Sequence, residues 1–519
     1  MPVLTGGLAM RILICSNAYP PDFMGGAELM AHEQAKALVG LGHEVRVFAG
    51  ELASSRSPHE RADAVYEGIP VHRIATVPEH YSPEYLNFLH PVVDRHFQDV
   101  LEDFRPDIVH CHNLIGLSVS LPILARQHNA KVVCTLHDFW GFCLRNTAMR
   151  ADGSPCGDIS ECRLCLSRIH DGRKLHVPMR FRKDFMRLAL DHVDRFISPS
   201  RYLADRYVWA GLSPERLMVM PNGIDLDRFH PSPSTSEAIR VTFVGYFGEH
   251  KGVATLLDAF SLLPGHFPQT VPPVTLQLVG DGPEHEAYLA QIEALGLHEL
   301  VKFAGKVSPA GMPDIYRGSD IVVLPSIWDE NQPVCLMEAM AAGLPVVASR
   351  KGGIPELIDH GENGLMFAAN DPQDLAAQLA LLITNPELRR TYGQRGRLRA
   401  VLLSHERQAQ RLMKIYDDLV VRPAPLQSQD IYAAVGSMRR KMADEGRRLA
   451  DERHPSRYFI PRQWLGKPPF AVKGMVLTGR LWSALRLIGV DAIVTIPSAF
   501  AKFGNAAIRR IERSRRPKV

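Results

Sequence analysis

The feature that most restricts this chain is a rhythm of short β-branched runs alternating with amphipathic segments, which stops once and starts again. The first series falls at 11–15, 44–48, 107–110, 131–136, 195–198 and 217–220; the second falls at 239–245, 276–280, 301–304, 321–325 and 345–348. Strands spaced widely enough for a helix between neighbours imply a parallel, doubly wound α/β sheet. The pause at 231–238 is Pro/Ser-rich and reads as a linker. Two Rossmann-like domains facing across a cleft are expected, with ligands at the carboxyl ends of the strands. The expected limits are 10–230 for the first domain, 239–405 for the second, 406–425 for a return helix and 426–519 for a basic extension without alternation.

Composition narrows the class. A 519-residue chain with 46% hydrophobic and 22% charged residues is neither disordered nor collagen-like. Its net charge of +4 hides a strong asymmetry: over 421–519, 20 Lys and Arg stand against 7 Asp and Glu, a surplus of +13, which leaves −9 for 1–420. Eight cysteines are too few for a secreted disulfide framework, and Cys15, Cys111 and Cys134 lie in apolar runs, so a reducing, cytoplasmic setting is expected. The apolar stretch 12–15 is too short for a secretory signal, and 484–501 is interrupted by Arg486, Asp491 and Pro497, so neither reads as a membrane span.

Four turns that follow expected strands have the chemistry of an anion site. Gly25-Gly26 precedes a helical run, and glycines at a helix start let backbone N–H groups approach a phosphate or a sugar oxygen. Gly245-Tyr246-Phe247-Gly248-Glu249-His250-Lys251-Gly252 places a cation beside the positive end of a helix, a sensible way to hold a diphosphate. Glu330 and Glu338 lie eight positions apart, the first in a loop and the second in the apolar stretch Val334-Cys335-Leu336-Met337-Glu338-Ala339-Met340. A carboxylate in such a stretch is costly to bury unless something hydrogen-bonds it, and the paired hydroxyls of a ribose or hexose are natural donors. Gly352-Gly353 opens a further helix that would add N–H groups to the same phosphate. His137 ends the expected strand 131–136, at the edge where catalytic groups collect.

Taken together, these residues resemble glycosyltransferase family 4, retaining transferases of the GT-B fold. The resemblance spans about 10–420 and rests on Gly25-Gly26-Ala27-Glu28, Pro221-Asn222-Gly223-Ile224-Asp225, Lys251-Gly252, Gly280-Asp281-Gly282-Pro283 and, most specifically, Glu330 to Glu338 continuing into Gly343-Leu344-Pro345-Val346. It implies transfer of a hexose from a nucleotide-diphosphate sugar to a glycan or lipid-linked acceptor, with retention and without a catalytic metal, in polysaccharide or glycolipid biosynthesis. It further implies Glu330 on the donor sugar hydroxyls, Glu338 on the ribose, Lys251 at the diphosphate, His137 near the sugar and the Gly25-Gly26 loop close to the transferred group, with Gly245 and Gly353 in the donor loops. Tyr246 stands where the family usually has Arg, so Lys251 or a residue such as Arg350 or Lys351 must compensate. Asp225-Leu226-Asp227 mimics a metal-binding Asp-x-Asp but continues a structural turn. A nucleotide-sugar 2-epimerase of the same architecture, or a non-catalytic sugar-nucleotide-binding protein, are the alternatives.

Two features stand outside that core. Cys143, Cys156, Cys162 and Cys165 form C-x12-C-x5-C-x2-C in a loop too polar for a core of its own, and structural zinc would staple it. An iron–sulfur centre and unpaired thiols are the alternatives. The extension interleaves Arg439-Arg440-Lys441, Arg447-Arg448 and Arg509-Arg510 with Tyr458, Phe459, Trp464, Phe470 and Trp482. That mixture suits an anionic membrane surface, here the inner face, with a solvated arm or a protein contact as alternatives. No nucleic-acid motif is present.

Overall fold

The computed structural model describes residues 9–421 except 24, 53–54, 83–86, 151–153, 167, 171–175, 233–237 and 268–270, together with 458–459 and 476–477. Packing divides the chain into two units. Among the described residues, one is formed by those up to Thr135 with Phe139–Arg195, the other by Leu136–Asp138 and Phe196–Asp417.

In the first unit the chain order is β1 (Arg11–Ser16), α1 (Gly26–Gly40), β2 (Glu44–Glu51), β3 (Arg61–Tyr66), β4 (Ile69–Ala75), α2 (Pro91–Phe104), β5 (Ile108–Cys111), α3 (Leu121–Gln127) and β6 (Lys131–Thr135). A single turn, α4 (Cys162–Cys165), the antiparallel pair β7 (Arg168–His170) and β8 (His176–Pro178), and α5 (Met179–Leu190) follow. The strands run β6-β5-β1-β2-β4-β3, all parallel except β3 against β4. That exception is a hairpin whose two-residue turn, Glu67-Gly68, has φ +47° and +81°, the geometry that matches strand twist. Chain order reverses between β1 and β5, so the loop leading to Gly25-Gly26 leaves β1 at the switch point.

The second unit contains β9 (Arg195–Ser198), α6 (Arg201–Trp209), β10 (Leu217–Val219), β11 (Ile239–Val244), α7 (Val253–Leu262), β12 (Val274–Val279), α8 (His285–Ala294), β13 (Val301–Gly305), α9 (Met312–Arg317), β14 (Ile321–Leu324), α10 (Val334–Ala341), β15 (Val346–Ser349), β16 (Leu365–Phe367), α11 (Pro372–Thr384), α12 (Pro386–Val401) and α13 (His405–Val421). Its main sheet, β13-β12-β11-β14-β15-β16, is parallel throughout. Ile-Val-Val-Leu of β14 is wholly buried, as expected of strands covered on both faces. Here the order reverses between β11 and β14. The loops that follow these two strands, 245–252 and 325–333, therefore leave the sheet side by side at its switch point.

Sheet pairing and packing divide the chain differently. The segment 196–230 is expected with the first domain, and its strands β9 and β10 lie in the sheet of β1, whose full order is β10-β9-β6-β5-β1-β2-β4-β3, while by packing 196–417 groups with the second unit. Ile224 N–H donates to Leu403 O at 2.8 Å, Asn222 N–H to Gln332 Oε1 at 2.6 Å, and the Arg397 guanidinium to Phe229 O at 2.7 Å. These bonds lie around the linker, so linker composition does not mark the edge of the packed core. The expected return helix is represented by α13; 422–425, and apart from the two short strand segments the whole of 426–519, lie outside the described residues.

Candidate active site

The second unit brings together the cation and the first carboxylate that the sequence singles out. Lys251 ends a one-turn 3-10 helix, and Gly252 follows at φ +68°, the left-handed region that glycine enters without strain. A Cβ at Gly252 would stand 2.1 Å from Pro325 O, so the missing side chain also lets this turn press against the end of β14. Ile327 N–H donates to His250 O at 3.0 Å, and the His250 and Trp328 rings meet edge to face at 4.8 Å. With the two loops tied in this way, Lys251 Nζ lies 2.6 Å from Glu330 Oε1.

Glu330 is buried, and three donors converge on one of its oxygens: Lys251 Nζ, Ser326 Oγ at 2.6 Å and Trp328 Nε1 at 2.8 Å, all on Oε1. Burial pushes the carboxyl up, but the Lys251 ammonium and these hydrogen bonds outweigh it and hold the group below its ordinary value. Glu330 is therefore an anion at neutral pH, and none of these donors uses Oε2.

Glu338 sits on α10 in a different environment. Tyr316 Oη donates to its Oε2 at 2.7 Å, yet burial dominates and raises the carboxyl to about 7, moderated by that hydrogen bond and by Arg228. The two glutamates of the motif thus carry different protonation states near neutrality.

His137 belongs to the second unit. Leu136 N–H donates to Ile197 O at 2.8 Å, Asn331 Nδ2 donates to His137 O at 2.6 Å, and Tyr207 Oη donates to Asp138 O at 3.0 Å. Residues 136–138 are thereby fixed to the loop that carries Glu330. Desolvation lowers the His137 imidazole to about 4, so it is neutral at physiological pH and can donate or accept without adding charge. Asn331 Oδ1 is buried without a hydrogen-bond partner, a second acceptor beside Glu330.

The glycines are divided. Gly353 lies against the Glu330 loop: its N–H donates to Glu330 O at 2.6 Å, and a Cβ there would stand 1.9 Å from Asn331 O. That N–H therefore positions Glu330 instead of facing a phosphate. Gly245 follows β11, with its N–H on Val279 O at 3.0 Å. Gly25 and Gly26 are placed by the first unit at the start of α1, where buried Glu28 accepts the Gly25 N–H at 2.8 Å, so a side chain already meets that donor. Of the residues considered as compensation for Tyr246, Arg350 is exposed and Lys351 is paired with Asp329 at 3.0 Å. Tyr246 itself is 52% exposed. Asp225 Oδ1 accepts the N–H groups of Asp227 and Arg228 at 3.0 and 2.9 Å, the turn expected of it.

Ser326, Trp328, Tyr316 and Asn331 were not singled out by sequence. The first two stand four and two positions before Glu330, near enough for a loop to fold back onto its carboxylate. A buried indole N–H that needs an acceptor was the available signal.

With this geometry in view, comparison with known proteins becomes informative. The family model described as Glycosyltransferase Family 4 matches residues 24–228, and Glycosyl transferases group 1 matches 227–399. The chain belongs to glycosyltransferase family 4. It is 33% identical over 218 residues to the D-inositol 3-phosphate glycosyltransferase of Corynebacterium jeikeium, 39% of this chain and 52% of that relative, so the match spans about half of it. It is 27% identical over 392 residues to the glycogen synthase of Mycobacterium tuberculosis, 73% of this chain and 87% of the relative. The fold resembles solved structures of Anabaena HepE with UDP (22% identical, TM-score 0.57, covering 79% of this chain and 100% of that one) and of sucrose-phosphate synthase from Thermosynechococcus elongatus (20%, 0.62, covering 79% and 99%). This family-4 chain thus has the GT-B fold, with two Rossmann-like units, and is a glycosyltransferase. The relatives named here are transferases and synthases, which removes the support for an epimerase. No helix among the described residues is long and apolar enough to cross a membrane.

Proposed function

We propose that this enzyme transfers a hexose from a nucleotide-diphosphate sugar to a hydroxyl of a glycan or lipid-linked acceptor, with retention at the anomeric carbon. The observation that supports it best is the Lys251–Glu330 pair at the switch point, with Oε1 saturated by donors and Oε2 left over. Oε2 is the acceptor for donor-sugar hydroxyls, and Lys251 is the cation for the diphosphate. As the glycosidic bond breaks, negative charge grows on the departing diphosphate, and a preorganised ammonium lowers that barrier. Glu338 receives the ribose hydroxyls, and neutral His137 and the Asn331 amide face the sugar. The HepE structures hold UDP or UDP-glucose, and the named relatives include a phosphatidyl-myo-inositol mannosyltransferase of Mycobacterium leprae and a glycogen synthase, which favours a nucleotide-sugar donor with a glycan or lipid-linked acceptor.

A panel of UDP-, GDP- and ADP-sugars, read by thermal stabilisation and by nucleoside-diphosphate release, tests this reading. One donor should both stabilise and turn over, and Glu330→Gln should retain nucleotide binding while losing 10²- to 10³-fold in turnover. Binding without release by the wild-type chain would identify a sugar-nucleotide-binding protein instead.

A further inference from the structure

Outside the glycosyltransferase site, the most unusual local chemistry lies in the first unit. Cys143, Cys156, Cys162 and Cys165 all line one cavity of about 30 Å³. None is in a disulfide. That volume exceeds one water-sized sphere, so it accommodates a single ion.

Each thiol is delivered by a local device. Cys143 closes a turn in which its N–H donates to Phe139 O at 2.6 Å. Cys156 is carried by a narrow loop, its N–H on Ala148 O at 2.7 Å and Arg150 N–H on Ser154 O at 2.8 Å. Cys162 and Cys165 begin and end α4, where a spacing of three puts both side chains on one helical face. The Cys143, Cys156 and Cys162 sulfurs are near enough to influence one another electrostatically.

Charge completes the pattern. Four thiolates around a divalent cation carry a net −2, and two cations of α5 lie beside them. The buried Arg182 guanidinium donates to Trp140 O at 2.7 Å, and Lys183 Nζ donates to Ile159 O at 3.0 Å. Burial raises the Cys143 and Cys162 thiols, and these two cations offset part of that rise. Among the described residues no group of three or more His, Cys, Asp or Glu side chains is disposed to hold a metal ion as it stands, so binding requires the thiols to turn inward onto the cavity.

We propose that Cys143, Cys156, Cys162 and Cys165 bind one Zn²⁺ in a tetrahedral four-thiolate site that staples the loop they span. Binding converts four thiols and a zinc ion into a tetrathiolate complex and releases four protons to solvent, with no change of oxidation state. The cavity is also lined by Phe142, Leu144, Met149, Ile159 and Leu166, and four metal–sulfur bonds would fasten that small apolar cluster.

The test uses the full chain purified under reducing conditions. Zinc content should be one per chain by elemental analysis, and Cys143→Ser/Cys162→Ser should contain none, while Cys335→Ser keeps one. Because the double variant can misfold, the wild type is also stripped with a chelator and reloaded with Co²⁺ alone. The tetrathiolate assignment predicts sulfur-to-cobalt charge-transfer bands with tetrahedral ligand-field bands, displaced by one equivalent of Zn²⁺. It also predicts that proteolytic cleavage within 143–165 accelerates at least tenfold when the metal is removed. Metal-free protein whose thiols all react freely, a disulfide between any two of the four, or iron with labile sulfide would each overturn the assignment.

Discussion

Removing the Lys251 ammonium would leave the Glu330 carboxylate buried with only Ser326 and Trp328 to hydrogen-bond it. Breaking one side of a buried pair typically costs about 3–5 kcal/mol, whereas replacing both partners by apolar groups is often neutral. Lys251→Met should therefore lower unfolding free energy by an amount in that range and turnover by 10²- to 10³-fold. Lys251→Met/Glu330→Leu should recover most of the stability and none of the turnover. Denaturant titration beside steady-state kinetics measures both, and recovery of activity in the double variant would remove Lys251 from the chemistry. Glu338 gives a second readout. Its carboxyl, raised to about 7 by burial, is half protonated near neutrality, so nucleotide affinity should rise as pH increases from 6 to 8. Glu338→Gln should flatten that profile. The same group binds more protons folded than unfolded between its ordinary value and about 7, so its contribution to stability declines as pH rises through that window.

The candidate site is built by loops that press against one another at Gly252. Gly252→Ala meets both a left-handed φ and a carbonyl oxygen 2.1 Å from its new Cβ. It should cost about 1–3 kcal/mol and push Lys251 away from Glu330, which thermal melts and donor KM will show together. Much of this was legible in sequence, for identifiable reasons. Strands such as β14 and β15 are buried on both faces, so their apolar runs are continuous and stand out. β3 and β4 were missed because β3 buries none of its residues and β4 carries His72 and Arg73, which bond to Asp63 and to the carbonyls of Tyr19 and Pro20. Their hydrogen bonds exist only in the fold. The Gly25-Gly26 pair was read as an open anion site, although Glu28, three positions after Gly25, is the residue that meets its N–H. Spacing brought Lys251 and the two glutamates into view, but burial raises both carboxyls and only Glu330 has an ammonium with Ser326 and Trp328 to overturn it, a difference that no local pattern encodes.

The first unit also holds three imidazoles in one packed group: ring centroids of His59 and His80 are 4.4 Å apart, His59 and His90 4.4 Å, and His80 and His90 5.0 Å. Burial lowers all three, His59 and His80 to about 4, and His59 is lowered further by neighbouring His80 and His96. Because these groups bind fewer protons folded than unfolded between about 4 and the ordinary histidine value, stability rises with pH across that window and is lost as pH falls from 6.5 toward 4. The melting temperature should drop on acidification from pH 7 to 5, and His80→Gln should make the slope shallower by removing one proton from the balance. An unchanged slope would assign acid lability to other groups.

Over the whole molecule, charge is segregated by sequence position: the chain to residue 420 carries −9 and the remainder +13. A basic segment with interleaved Trp, Tyr and Phe would concentrate at an anionic bilayer, each cation near the surface contributing about 1 kcal/mol and the aromatic rings seating at headgroup level. The acidic body would be repelled by the same surface, so deletion of 426–519 should do more than weaken binding and should abolish it. Sedimentation with vesicles of phosphatidylglycerol and phosphatidylcholine should fall to background on deletion, and binding by the full chain should fade between 0.1 and 0.5 M salt, roughly as screening shortens electrostatic range. Turnover on a water-soluble acceptor should survive the deletion, because every residue assigned to the chemistry precedes residue 421. Turnover on a lipid-linked acceptor in vesicles should decline with it. Equal sedimentation of the two forms would instead make the extension a solvated arm or a protein contact, and would leave acceptor capture to the glycosyltransferase units alone.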